Sequence, residues 1–167
     1  MAKYVFGLKS VKFGTPTGTA AMPAALDMEE FAQTVRGSMT LSETEPTVQD
    51  FNVEEQDAPV EQAITESSKL ELTWRAYDLS PAIIEIVKGG DGSTLATTWT
   101  APAKTTMIKL AIEIETDGGS TIAIPNANIV ARLDGVIGRE DMLQLEVKGT
   151  ALDPGDGGSP FSVVFPA

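Results

Sequence analysis

Neither cysteine nor histidine occurs among the 167 residues. Without thiols there is no disulfide, no thiolate nucleophile and no cysteine-based zinc site. Without imidazole the chain lacks the side chain whose unperturbed pKa lies nearest neutrality, and the commonest transition-metal ligand with it. The two absences together remove most catalytic triads. Aromatic side chains are scarce at 6%. Positive charge is scarce as well: 12 Lys and Arg stand against 24 Asp and Glu, for a net charge of -12. Nucleic acids and anionic membranes are bound by clustered Lys and Arg, so this balance predicts repulsion from both. The same charge also serves plain solubility. No apolar run approaches the roughly 20 residues that span a bilayer. The opening run, residues 1–8, lacks the apolar core and cleavage site of a signal peptide, so synthesis in a cytoplasm and no membrane partner are expected.

What is present suits a globular fold. Apolar residues make up 42% and charged residues 22%, a balance unlike that of disordered chains. The length fits one domain, 1–167, with a core large enough to need no staple.

Strand signals dominate. Residues 69–77 alternate, with Leu70, Leu72, Trp74 and Ala76 on one face and Lys69, Glu71, Thr73 and Arg75 on the other. That period of two marks a half-buried strand. Residues 106–115 repeat it, with Ile108, Leu110, Ile112 and Ile114 inward. An Asp-Gly-Gly-Ser turn at 117–120 leads into 121–124 as a hairpin. Further strands are predicted at 128–133, 142–148 and 161–165, an earlier one at 35–42 that Gly37 weakens, and a short one near the N-terminus. Residues 14–27, rich in Thr, Gly, Pro and Ala, read as a surface excursion.

One helix is predicted over 80–88. Ser80 is a good N-cap, Pro81 suits the first turn, and Lys88 followed by Gly89 is a favoured ending. Ile83, Ile86 and Val87 are expected on its packed face.

The segment 44–66 is unusual. Glu43, Glu45, Asp50, Glu54, Glu55, Asp57, Glu61 and Glu66 crowd it, while no Lys or Arg occurs between Arg36 and Lys69. Val48, Phe51, Val53, Val60 and Ile64 are scattered through it. A disordered linker rarely carries so many β-branched and aromatic residues, and a passive loop of this length is uncommon in a compact domain. It reads as an extended β arm or long hairpin that gains order against a neighbouring subunit. The alternative is a mobile acidic loop.

Nothing points to catalysis, a cofactor or a metal. The acidic glycine runs at 89–92, 117–119 and 153–158 have neither EF-hand nor β-roll spacing, and tight turns demand Asp and Gly for backbone reasons alone. Glu113 and Glu115 share a strand face, as a glycosidase pair might, but on the polar side where solvated glutamate is ordinary. The charged run at 27–30 has no visible partner. No glycine loop matches a nucleotide fingerprint. Trp74 falls on the apolar side of its strand and belongs to a core.

The order of parts is a short strand, an excursion, a strand, the acidic arm, the strong strand at 69–77, the helix and a closing run of hairpins. In that order the chain resembles the tail tube proteins (major tail proteins) of long-tailed bacteriophages, which are similar in fold to the tube proteins of bacterial type VI secretion. Residues 45–89 carry most of the likeness. The resemblance implies a β-sandwich or barrel with one short helix and a long arm. It implies copies closing into hexameric rings, stacked into a hollow tube in the virion tail through which DNA passes without specific binding. Other tail proteins are implied partners. Val48, Phe51, Val53 and Val60 become the inter-subunit arm, and Glu71, Glu113 and Glu115 carboxylates facing the bore. Two other classes stay open: a carbohydrate- or surface-binding β-sandwich, which calls for an exposed aromatic platform, and a bacterial secretion tube subunit.

Overall fold

A computed structural model describes residues 3–31, 33–92, 97–139 and 141–166. The opening run therefore begins on two residues, Met1 and Ala2, that lie outside the described ones. The fold is mainly β. The strands among the described residues are β1 (Leu8–Gly14), β2 (Glu29–Glu30), β3 (Thr40–Glu43), β4 (Thr47–Phe51), β5 (Glu61–Glu66), β6 (Leu70–Ala76), β7 (Ile108–Thr116), β8 (Thr121–Asp134), β9 (Gln144–Ala151) and β10 (Ser162–Val164). Among the described residues one α-helix forms, α1 (Pro81–Lys88). A 3-10 turn, Ala25–Asp27, lies in the excursion.

Eight strands form an antiparallel sheet in the order β2-β1-β7-β8-β9-β6-β3, with β10 pairing β8. Strands β4 and β5 pair only with each other. The inward residues Val11, Phe13, Ile112, Ile114, Ile122, Ile124, Ile129, Leu145, Val147, Leu72 and Trp74 form one core, as alternation requires. The sheet curls around it. Phe31 packs edge-on against Phe13 of β1 at 5.9 Å and against Trp74 of β6 at 5.6 Å, although three strands separate β1 from β6. Helix α1 packs against β8 and β7 and adds Ile84 and Val87 to the core.

Leu70, Leu72, Trp74 and Ala76 are buried as their alternation predicts. Other elements differ from expectation. The segments at 121–124 and 128–133 are one strand of 14 residues. Pro125 interrupts the pattern yet not the strand, because the β7–β8 register shifts opposite it, between Leu110 and Ile112. A bulge is where an interior strand tolerates a residue with no N–H. The strand expected at 35–42 begins only at Thr40. Before it, the Val35 N–H donates to the Arg75 carbonyl at 2.7 Å and Gly37 turns with φ +74°, so the chain meets β6 once, bends, and returns. The strand expected at 142–148 is shifted to Gln144–Ala151, and the one at 161–165 keeps only its three central, exposed residues. On α1 the buried pair is Ile84 and Val87, three apart, while Ile83 and Ile86 are half-buried. Val87 is buried as expected and Ile83 and Ile86 pack against the core, while Ile84 joins them as a second fully buried residue.

Candidate functional site

The segment 44–66 leaves the body between β3 and β6, which are themselves paired from Thr40↔Thr73 to Glu43↔Leu70. A clasp closes its base. The Thr44 N–H donates to the Lys69 carbonyl at 2.9 Å, and the Lys69 N–H donates to the Thr44 hydroxyl at 2.9 Å. The Ser68 hydroxyl donates to the Glu43 carboxylate at 2.6 Å. Beyond the clasp the chain forms a hairpin. Val48 faces Ile64, Gln49 faces Ala63, Asp50 faces Gln62 and Phe51 faces Glu61. The Gln62 amide donates to Asp50 at 2.7 Å, and the Val60 N–H donates to the Phe51 carbonyl at 2.9 Å.

This ribbon covers nothing and is covered by nothing. Every residue over 40–67 is exposed. The expected arm residues Val48, Phe51, Val53 and Val60 all lie on it, between 41% and 49% exposed. Ile64, at 66%, completes the apolar set as the cross-strand partner of Val48. Its place in the pair depends on the hairpin register, which composition alone does not supply. A two-stranded hairpin is at best marginally stable in water. Five large apolar side chains are left in water on this one.

The other expected residues lie on the polar face of the large sheet. Glu113 and Glu115 are brought together, but neither carboxylate is free. Lys12 on β1 pairs with Glu113 at 3.4 Å and more closely with Glu115, which Lys9 also reaches at 3.2 Å. The hydrogen bond from Lys12, then that from Lys9, holds the Glu115 carboxyl below the usual carboxylate range. The same bond to Glu115 raises Lys12. Glu71 sits on β6 of this face, exposed and without an ion pair among the described residues.

Sequence reasoning passed over a second ionic cluster. Glu146 of β9 points to the polar face yet is only 3% exposed, because cationic side chains lie over it. Arg132 Nε donates to it at 3.0 Å and Arg75 Nη2 at 2.8 Å, with Asp134 3.3 Å from Arg75. Cross-strand pairing produces the arrangement: Arg75↔Glu146 between β6 and β9, and Arg132↔Glu146 between β8 and β9. The bond from Arg132, partly opposed by burial and aided by Arg75, depresses the Glu146 carboxyl.

The glycine turns act as turns. The Gly155 N–H donates to Asp153 at 2.8 Å, and Asp156 accepts N–H groups from Gly158 and, across the molecule, Ala20 at 2.9 Å each. Trp74 is buried against Phe31. Trp99 donates its indole N–H to the Gly89 carbonyl at 2.9 Å, which closes the loop after α1. Among the described residues no group of three or more acidic side chains is placed to hold a metal ion, and no helix is long and apolar enough to cross a membrane. Comparison of the chain with models of known protein families and with curated proteins found no match.

Proposed function

We propose that this chain is a structural subunit that assembles with copies of itself through the β4–β5 arm, as the tail tube protein of a long-tailed bacteriophage. In this reading six copies close a ring, rings stack into a hollow tube of the virion tail alongside other tail proteins, and DNA passes through without being bound. The subunit is a scaffold and not an enzyme. One observation carries the reading: a hairpin whose residues are all exposed projects from the body and displays Val48, Phe51, Val53, Val60 and Ile64. Such a ribbon gains stability when a neighbour removes those side chains from water, at about 25 cal/mol per Å² of apolar surface.

Two further features support it. The sheet ends in short strands: β2 covers β1 only at Lys12 and Phe13, and β3 has four residues with one side unpaired within the sheet. Open edges are a hazard in a monomer and a means of joining copies in an assembly. The edges differ, so they suit heterologous contacts, which generate rings when the rotation closes. The net charge of -12 fits a passage that must not hold a polyanion, since few cations are available to release the counterions of DNA. Glu71 keeps an exposed carboxylate for that role, whereas Lys12 and Lys9 largely neutralise Glu113 and Glu115.

Sedimentation and negative-stain microscopy of the purified chain over a wide concentration range test the reading. Rings or rods of uniform width are the expected result. Single separated particles at every concentration would sink it.

A further inference from the structure

The polar face of the large sheet carries a cationic, partly apolar strip. Antiparallel pairing puts Lys109, Asn128 and Thr150 in one row, and Val130 with Lys148 in the next. Residues directly opposite one another share a face. Lys109, Val130 and Lys148 are all exposed. Met107, 72% exposed, sits beside Asn128, whose amide reaches its sulfur at 3.4 Å. Two apolar side chains, Val130 and Met107, are thus flanked by two ammonium groups. Lys109 makes no ion pair among the described residues, and Lys148 stands 3.9 Å from a Glu146 already held by two arginines.

One face of the arm is the complement of this strip. The Val48–Ile64 cross-strand pair is apolar and shares its face with the Asp50–Gln62 pair, while Glu61 and Glu66, opposite Phe51 and Thr47, lie on the other face. Lys and Arg are absent between Arg36 and Lys69. The arm is therefore acidic and apolar, and the strip basic and apolar, within a chain whose net charge is -12. The arm does not rest on its own strip, because both surfaces are exposed.

We infer that the arm of one copy lies across the β7–β8–β9 face of a second copy, with Val48 and Ile64 over Val130 and Met107 and the Asp50 carboxylate facing Lys109 and Lys148. This rests on the reading of the arm as an assembly element and adds the surface that receives it. Charge complementarity selects the occupant: the acidic, apolar ribbon that fits the strip is part of the same chain. Donor and receiver surfaces differ, so each bound copy presents a fresh strip and a fresh arm, and the contact propagates. Glu71 lies on β6, outside the strip, and is left uncovered.

Cysteine cross-linking tests this directly, since the chain has no cysteine of its own. Equimolar Ile64→Cys and Val130→Cys chains, mixed and oxidised, are expected to give a disulfide-linked heterodimer. Ile64→Cys mixed with Leu26→Cys, a fully exposed site elsewhere, is expected to give little. In parallel, Lys109→Glu with Lys148→Glu, or Asp50→Lys, should each weaken self-association at least ~10-fold by placing like charges together. Mixing the two charge-reversed chains should restore it. If the unaltered chain self-associates while the cross-link fails and the reversals change nothing, the receiving surface is wrong and the assembly reading stands. A chain that remains monomeric throughout overturns both. Charge reversals that change only monomer stability overturn the inference as well.

Discussion

At the scale of single residues, two positions show how tightly the sheet is specified. Gly149 lies on the inward side of β9, and a Cβ there would come within 3.0 Å of Ile129 and 3.1 Å of Leu72, both fully buried. Gly149→Ala is expected to destabilise the fold by about 1–2 kcal/mol through overpacking, measured by urea unfolding. Glu146 acts through charge. Its carboxyl is depressed in the folded state by Arg132 and Arg75, so it takes up protons less readily there than in the unfolded chain. Its stabilising contribution is complete above the unfolded carboxylate range and is lost as pH falls through the depressed value. Glu146→Gln should therefore unfold at lower urea than the parent at neutral pH, and lose less stability on acidification. Equal acid sensitivity of the two proteins would contradict this. Lys12 has the opposite sign: raised by Glu115, its contribution holds below the ordinary lysine range and fades as pH climbs through the raised value.

Among elements, the arm and the body are expected to separate cleanly. Deleting 49–60 removes only exposed residues, so the thermal midpoint should move by a few degrees at most while self-association is abolished. Unfolding of the deletion variant, seen by circular dichroism, would place the segment in the core. Ile84→Ala, in contrast, should cost about 2–4 kcal/mol, because it empties a buried position beneath α1. Sequence made β6 legible, since period-two alternation and burial coincide there, and β7 in part: Ile112 and Ile114 are buried as expected, while Ile108 and Leu110 are half-buried and Ala111 is buried at the register shift. The helix was legible from its ends, Ser80-Pro81 and Lys88-Gly89, but four apolar residues in five positions left its rotation undetermined, and packing on β8 chose Ile84. Strand β8 was legible only in halves, because Pro125 reads as a break unless the partner strand is known. Residues 35–39 were not legible: they meet β6 only at Arg75, through the Val35 N–H and the Ser38 hydroxyl on either side of a turn, which leaves no periodic trace. The arm's acidity and apolar content were plain in the sequence, and its hairpin register was not. The Glu146 cluster escaped notice because Arg75, Arg132 and Glu146 meet only through the pairing of three strands.

For the molecule as a whole, charge is unevenly shared. The arm holds carboxylates alone among its charged groups, while the sheet presents Lys109 and Lys148 beside Lys9, Lys12, Arg75 and Arg132, which are engaged with carboxylates. Contacts between the two regions should therefore weaken as ionic strength rises past the range where the screening length is about 10 Å. Light scattering across a salt series is expected to show smaller assemblies at high salt. Growth with added salt would mean that apolar burial dominates and charge is incidental. The clasp at Thr44 and Lys69 has a consequence of its own. The chain enters and leaves the hairpin through one hydrogen-bonded gate, so residues can be inserted or removed in register beyond it without altering the body. Two residues added to each strand extend the ribbon by about 6–7 Å. The hairpin is thus a ruler whose length can be set separately from the fold that carries it.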